Sequence, residues 1–154
     1  MVPVLAQISS LFEPSPIISK FPVPMTVMIL SPHPDDESIV GSLALRLQRE
    51  NNAHIVNVAV TLGSEKKRQK ARLMELENAC DLLDMELVVL SEDWSQKRKE
   101  LKGLIQKYQP QLILAPHVKD RHPTHIKTGQ LLAKAVDTKT NCIVTGKQIG
   151  RAHV

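Results

Sequence analysis

Residues 32–37 read Pro32-His33-Pro34-Asp35-Asp36-Glu37 directly after the apolar run Met25 to Leu30, and a histidine pair, His122 and His125, follows a second apolar run about ninety residues later. An imidazole with adjacent carboxylates at the end of one strand, joined by histidines from the end of another, is a donor set for one divalent metal ion. Pro32 and Pro34 restrict the backbone on both sides of His33, which favours a stiff, extended turn that projects the imidazole beyond the strand and lowers the cost of ligation. Asp35 and Asp36 are consecutive at the expected start of a helix, so their side chains leave the backbone in different directions. One can bind metal while the other holds a water. Two carboxylates this close repel each other and raise a pKa unless a cation separates them, although a helix N-terminus offsets part of the charge. The competing reading is that Asp35, Asp36 and Glu37 are acidic residues at a helix start, where such residues are common. His122 and His125 are three apart, and if the segment Thr124 to Val136 is helical from His122 they share a face. Alone they read equally as surface histidines; two motifs that both follow strands favour one shared site.

The elements that must position these groups follow from hydrophobic periodicity. Met25 to Leu30, His54 to Leu62, Glu86 to Leu90 and Gln111 to Ala115 are short and rich in Val, Ile and Leu, as strands buried on both faces are. Between them, Asp36 to Arg49 places Ile39, Leu43 and Leu47 on one stripe, and Glu65 to Leu83 repeats Leu73, Leu76, Cys80 and Leu83 with Ser64 as its expected N-cap. Trp94 to Tyr108 offers Leu101, Leu104, Ile105 and Tyr108, and Pro110 stops it before the next strand. Strand and helix alternate four times. That order predicts an α/β fold with a Rossmann-like, mostly parallel sheet and helices on both faces, a three-layer α/β/α arrangement whose ligands bind beyond the carboxyl ends of the strands.

Composition narrows the function classes. The 154 residues are one domain's worth, 42% hydrophobic and only 3% aromatic, with 20 Lys+Arg against 16 Asp+Glu for a formal charge of +4. Much of the excess sits in Lys66-Lys67-Arg68 with Lys70 and in Lys97-Arg98-Lys99, read here as the solvated faces of amphipathic helices. No aromatic interleaving for base stacking accompanies them, so no nucleic-acid partner is expected. Cys80 and Cys142 have neither metal-type spacing nor a disulfide framework, which fits a reducing compartment such as the cytoplasm, with Cys80 read as core. Residues 1–24 carry five prolines and apolar stretches too short to span a bilayer, so they read as an extended leader before a domain at 25–136.

At this point the motifs resemble a known family. Pro32 to Glu37 is similar to the signature of the PIG-L or LmbE-like N-deacetylases, zinc enzymes that remove acetyl groups from N-acetylglucosamine-type sugars, and Asp120-Arg121-His122-Pro123-Thr124-His125 resembles their second signature. Thr61-Leu62-Gly63 and Arg72 to Glu75 resemble the intervening pattern, so the similarity runs from about Thr26 to Val136. The resemblance implies one Zn2+ held by His33, Asp36 and His125, Asp35 as general base, and His122 helping to stabilise the oxyanion, with Asp35 or His122 returning a proton to the leaving amine. It implies a small N-acetyl sugar conjugate as substrate and Arg72 as a polar contact to it. His117 and Asp120 are candidates to accept from metal-bound histidines; His54 is assigned to structure. The family usually carries Asp where this chain has Thr124, and its members continue well beyond the second motif. Ile149-Gly150-Arg151-Ala152-His153-Val154 resembles one reading frame of a sequencing adapter, so residues 137–154 are expected to be a non-native tail after a truncated domain. Two other classes stay open. One is a non-catalytic, metal-containing sugar-binding or interaction module; the other, a nucleotide-binding domain, lacks a Gly-rich phosphate loop after the first strand.

Overall fold

The computed structural model describes residues 21–136 and 143–147, without the side chains of 37–40 and 143–147. The strands are β1 (Met25–Ser31), β2 (Ala53–Ala59), β3 (Met85–Val89), β4 (Leu112–Pro116) and β5 (Ile143–Lys147), and the helices are α1 (Glu37–Asn51), α2 (Lys66–Leu82), α3 (Trp94–Tyr108) and α4 (Pro123–Ala135). All strand pairs are parallel and lie in the order β3-β2-β1-β4-β5. The chain winds outward from β1 to β3 and then crosses to β4. The order therefore reverses between β1 and β4, and the carboxyl ends of strands at such a switch point are the usual ligand position in a doubly wound sheet. Both histidine motifs follow those two strands.

Alternate residues of β1 face opposite layers, as the period of two requires. Val27 and Ile29 pack with Ile55, Ala44 and Leu47 of α1, and Leu76 and Cys80 of α2. Met28 and Leu30 pack on the other face with Val56, Val58, Leu101 and Ile105 of α3, and Leu131 and Leu132 of α4. The three-layer α/β/α architecture is thus the one expected, and the helical stripes named from periodicity supply both cores. Ile39 lies outside the side chains described.

Several local expectations are corrected. β2 stops at Ala59 rather than Leu62, because Gly63 takes a left-handed φ of +86° and Thr61 turns its hydroxyl onto the Pro32 carbonyl at 2.7 Å. Glu65, not Ser64, occupies the N-cap of α2, and no side chain caps that helix. The run Lys66, Lys67, Arg68 and Lys70 is exposed, but Lys97 is only 1% exposed. Its ammonium donates to the Val60 carbonyl at 2.5 Å and to the Ser91 carbonyl, clasping the loops after β2 and β3. Burial pushes its pKa below the ordinary lysine value. β5 adds an edge strand within 137–154, where no element was expected; Ile143, Val144 and Thr145 are β-branched, a composition that suits a strand. The leader to residue 20, Cys142 and the adapter-like stretch at 149–154 lie outside the described residues. Among the described residues no helix is long and apolar enough to cross a membrane.

Candidate metal centre and active site

The turn after β1 is built by its own sequence. His33 accepts backbone hydrogen bonds from Asp35 and Asp36 at 3.1 and 3.3 Å, closing a tight turn between the two prolines and α1. Asp36 is the N-cap residue of α1 but makes no capping bond with its side chain. Its Oδ2 instead accepts from the backbone N–H of His33 at 2.8 Å and sits 3.3 Å from His33 Nδ1. Asp35, one residue earlier in the same turn, is exposed. The two adjacent carboxylates therefore occupy different environments.

The second motif arrives from β4. α4 begins at Pro123, and His122 precedes it in an extended conformation, φ −85° and ψ 127°, as the residue before a proline prefers. His122 is thus not on the helix, and the shared helical face expected for it and His125 does not exist. The two rings nevertheless meet, with centroids 5.1 Å apart, and His33 lies 4.8 Å from His122 and 5.4 Å from His125. The ring nitrogens of His33, His122 and His125 include one from each residue, all within 4.8 Å of one another, and so could hold a metal ion.

Asp120 organises this half of the site. Its Oδ1 accepts from the His122 backbone N–H at 3.0 Å, and its Oδ2 is 3.3 Å from His125 Nδ1. Burial alone would raise this carboxyl, but the His122 N–H, the His125 ring and the Arg121 N–H together hold it below the ordinary aspartate value. With its proton on Nδ1, facing Asp120, His125 presents Nε2 to Asp36 Oδ2, 3.5 Å away. His125 is 9% exposed, so this orientation is held by packing as well as by charge. The Asp36 oxygen thereby lies 3.3 and 3.5 Å from two imidazole nitrogens. A tetrahedral ion with bonds of ~2.0–2.1 Å sets its donors about 3.4 Å apart, so these separations fit zinc. His122 differs. Its Nδ1 accepts from the Thr124 backbone N–H at 3.3 Å, and in the tautomer that suits this bond its Nε2 is a hydrogen-bond donor.

The remaining sequence candidates separate by position. Arg72 lays its guanidinium against Gly63 in the loop after β2, leaving no room for a Cβ there, and Gln69 donates to the Gly63 carbonyl at 2.9 Å. Because Thr61 is tied to Pro32, this loop borders the β1 turn. His117 accepts from the Lys119 N–H at 3.1 Å and braces its own loop. His54 pairs with Glu86 at 3.0 Å near the amino ends of β2 and β3, the opposite end of the sheet from the histidine cluster. Gly129 escaped the sequence reading, although a glycine inside a helix costs ~1 kcal/mol and signals a close approach. It lies one turn beyond His125, where a Cβ would meet the Pro116 carbonyl at 2.9 Å, so its absence lets α4 seat against the end of β4.

A family model described as PIG-L, GlcNAc-PI de-N-acetylase, matches residues 28–136, a span that includes both histidine motifs. The chain belongs to the PIG-L family. Its fold is shared by solved structures of low identity. N,N'-diacetylchitobiose deacetylase from Pyrococcus horikoshii is 20% identical, with a TM-score of 0.63, 88% of this chain covered and 59% of that one. The conserved protein TT1542 from Thermus thermophilus is 22% identical, with a TM-score of 0.59 and coverages of 80% and 61%. GalB, the 4-carboxy-2-hydroxymuconate hydratase from Pseudomonas putida, is 18% identical, with a TM-score of 0.62 and coverages of 72% and 55%. This PIG-L chain thus spans about three-fifths of those structures. A comparison with curated protein sequences returned no match. Because a hydratase shares the fold, the architecture alone does not select the reaction; membership of the PIG-L family supports an N-deacetylase.

Proposed function

We propose that this PIG-L domain is a zinc-dependent N-deacetylase that hydrolyses an N-acetylglucosamine-type sugar conjugate to acetate and a free amine. The observation that carries the reading is Asp36 Oδ2 poised 3.3 Å from His33 Nδ1 and 3.5 Å from His125 Nε2, with Asp120 behind His125. His33, Asp36 and His125 would hold the ion, and bound zinc supplies Lewis-acid polarisation of the acetamide carbonyl and lowers the pKa of a water toward ~7. Asp35, at the open side of the turn, takes the proton of the water that attacks the amide carbon. His122 donates its Nε2–H to the carbonyl oxygen as negative charge develops there. Its Nδ1 is already engaged by the Thr124 N–H, so the proton that Asp35 collected is the one returned to the nitrogen as the C–N bond breaks. The His122 side chain caps the helix by accepting from the backbone N–H of Thr124, the residue that stands where the family usually has an aspartate. Arg72, beside Gly63, is the proposed contact to the sugar. Buried Cys80, a free thiol, is consistent with the cytoplasm as the proposed location.

Zinc content measured together with acetate release from a panel of N-acetyl sugars tests this reading. Stoichiometric zinc with acetate release is expected, and zinc without release from any member would refute the enzyme. Asp35→Asn should abolish turnover and keep the metal; loss of metal instead would reverse the roles of Asp35 and Asp36.

A further inference from the structure

A polar chain crosses the otherwise apolar layer under α1 and α2. Ser31, the last residue of β1, donates its hydroxyl to Asn57 Oδ1 at 2.7 Å, and Asn57 Nδ2 lies 3.5 Å from Cys80 Sγ on α2. Ser31 and Asn57 are 0% exposed and Cys80 is 1% exposed. Their neighbours in that layer are Ile29, Ile55, Ala59 and Leu76. Burying a carboxamide there has a desolvation cost that a leucine of similar size would not incur, and satisfied pairs of this kind are close to neutral in net stability. Stability therefore does not account for Asn57.

Position does. Ser31 ends β1 two residues before His33, and the backbone there is already fixed edge-on to β2, since Val60 N–H donates to the Ser31 carbonyl at 2.8 Å and Thr61 Oγ1 donates to the Pro32 carbonyl at 2.7 Å. The ladder to β4 ends at Ile29↔Leu114, so Leu30 and Ser31 are paired along the β2 edge only. A side-chain tie across the face of the two strands and on to the helix above them adds a second constraint to that end. Ser31 to Asn57 to Cys80 is such a tie, and it runs from the metal-bearing turn to α2, the helix that carries Arg72.

We propose that Asn57 is a positioning residue of the metal centre, acting through Ser31 to hold the turn of His33 and Asp36 at the angle that lets both converge with His125. The inference rests on the zinc reading above. Its test is zinc affinity by chelator competition beside urea unfolding, on the full chain and its Ser31→Ala, Asn57→Leu and doubly substituted forms. The double variant should unfold at an unchanged or higher urea concentration, yet bind zinc at least tenfold more weakly, the scale at which supports behind metal ligands act. Ser31→Ala removes a single oxygen atom and reports the same loss if the larger change prevents folding. Ile105→Val, on the opposite face of the sheet, should lower stability and leave zinc affinity as it was. Zinc affinity within twofold of the parent in a folded Ser31→Ala or double variant overturns the inference and leaves the deacetylase reading standing. A parent that binds no zinc overturns both.

Discussion

A methyl group placed on Gly129 probes how closely α4 must approach β4 for His125 to reach the site. The Cβ of Gly129→Ala would stand 2.9 Å from the Pro116 carbonyl oxygen, 3.1 Å from Val118 Cγ1 and 3.2 Å from Val118 N. A relaxed C···O contact is about 3.3–3.6 Å, so the helix must withdraw by roughly half an ångström. Overpacking of this kind costs ~1–3 kcal/mol. Alanine is the better helix former by ~0.8–1.0 kcal/mol, which offsets part of that cost. Gly103 in α3 supplies the matched control, because a Cβ there meets nothing within 4 Å. Gly103→Ala should therefore gain the propensity term in full, and the gap between the two variants isolates the clash. At ~2–4 °C per kcal/mol for a chain of this size, Gly129→Ala should melt about 2–12 °C below Gly103→Ala. Differential scanning calorimetry on both variants reads this gap, and chelator competition should show weaker zinc binding only in Gly129→Ala, since His125 rides on the helix that moves. Equal melting temperatures for the two variants would refute the close seating of α4 and the account of how His125 is placed.

Two other outcomes follow from the charges. Asp120→Ala frees His125 Nδ1 and the His122 N–H together, so zinc affinity should fall ~10–100-fold by competition titration; unchanged affinity would show that Asp120 does not orient the ligand. Asp93 caps α3 through Ser95 Oγ at 2.7 Å and Ser95 N–H at 2.8 Å, and these bonds hold its pKa below 3.8. A depressed folded value means the stabilisation is present above pH 3.8 and is lost as pH falls through the folded value. Asp93→Asn keeps a capping side chain without the charge, so its urea midpoint should vary less with pH below about 4 than the parent's, and identical profiles would remove Asp93 from the acid transition.

How much was legible in the sequence differs from residue to residue. The strands and helices were readable because a doubly wound fold buries its strands on both faces and its helices on one, and each arrangement leaves its own period. Leu47, Leu76, Leu101 and Ile105 emerged as core for that reason. Lys97 did not, since the residues that follow it are exposed cations and one of the two carbonyls that let it be buried, that of Val60, comes from 37 residues away in the chain. Asn57 and Ser31 were equally silent: each is an ordinary polar residue until α2 folds across the sheet and brings Cys80 to them. Spacing alone left open whether the helix begins at His122; the extended backbone that Pro123 imposes places it just outside.

The sequence by itself determined which residues are candidate donors, the prolines that flank His33, the alternation of strand and helix, and the location of both histidine motifs after strands. These are local properties, set by residue type and by the backbone preferences of neighbours. Only the tertiary structure decided that β1 and β4 lie side by side, because strand order is not written in any one segment. That adjacency brings Asp36 Oδ2 to 3.5 Å from His125 Nε2, while Asp120 Oδ2 lies 3.3 Å from His125 Nδ1 and Asp35 is exposed. It also sets the His122 ring 4.8 Å from that of His33 and 5.1 Å from that of His125, with its Nδ1 accepting from a backbone N–H. Division of labour among six neighbouring acids and imidazoles is a matter of ångströms and tautomers, and those arise only when distant parts of the chain pack together.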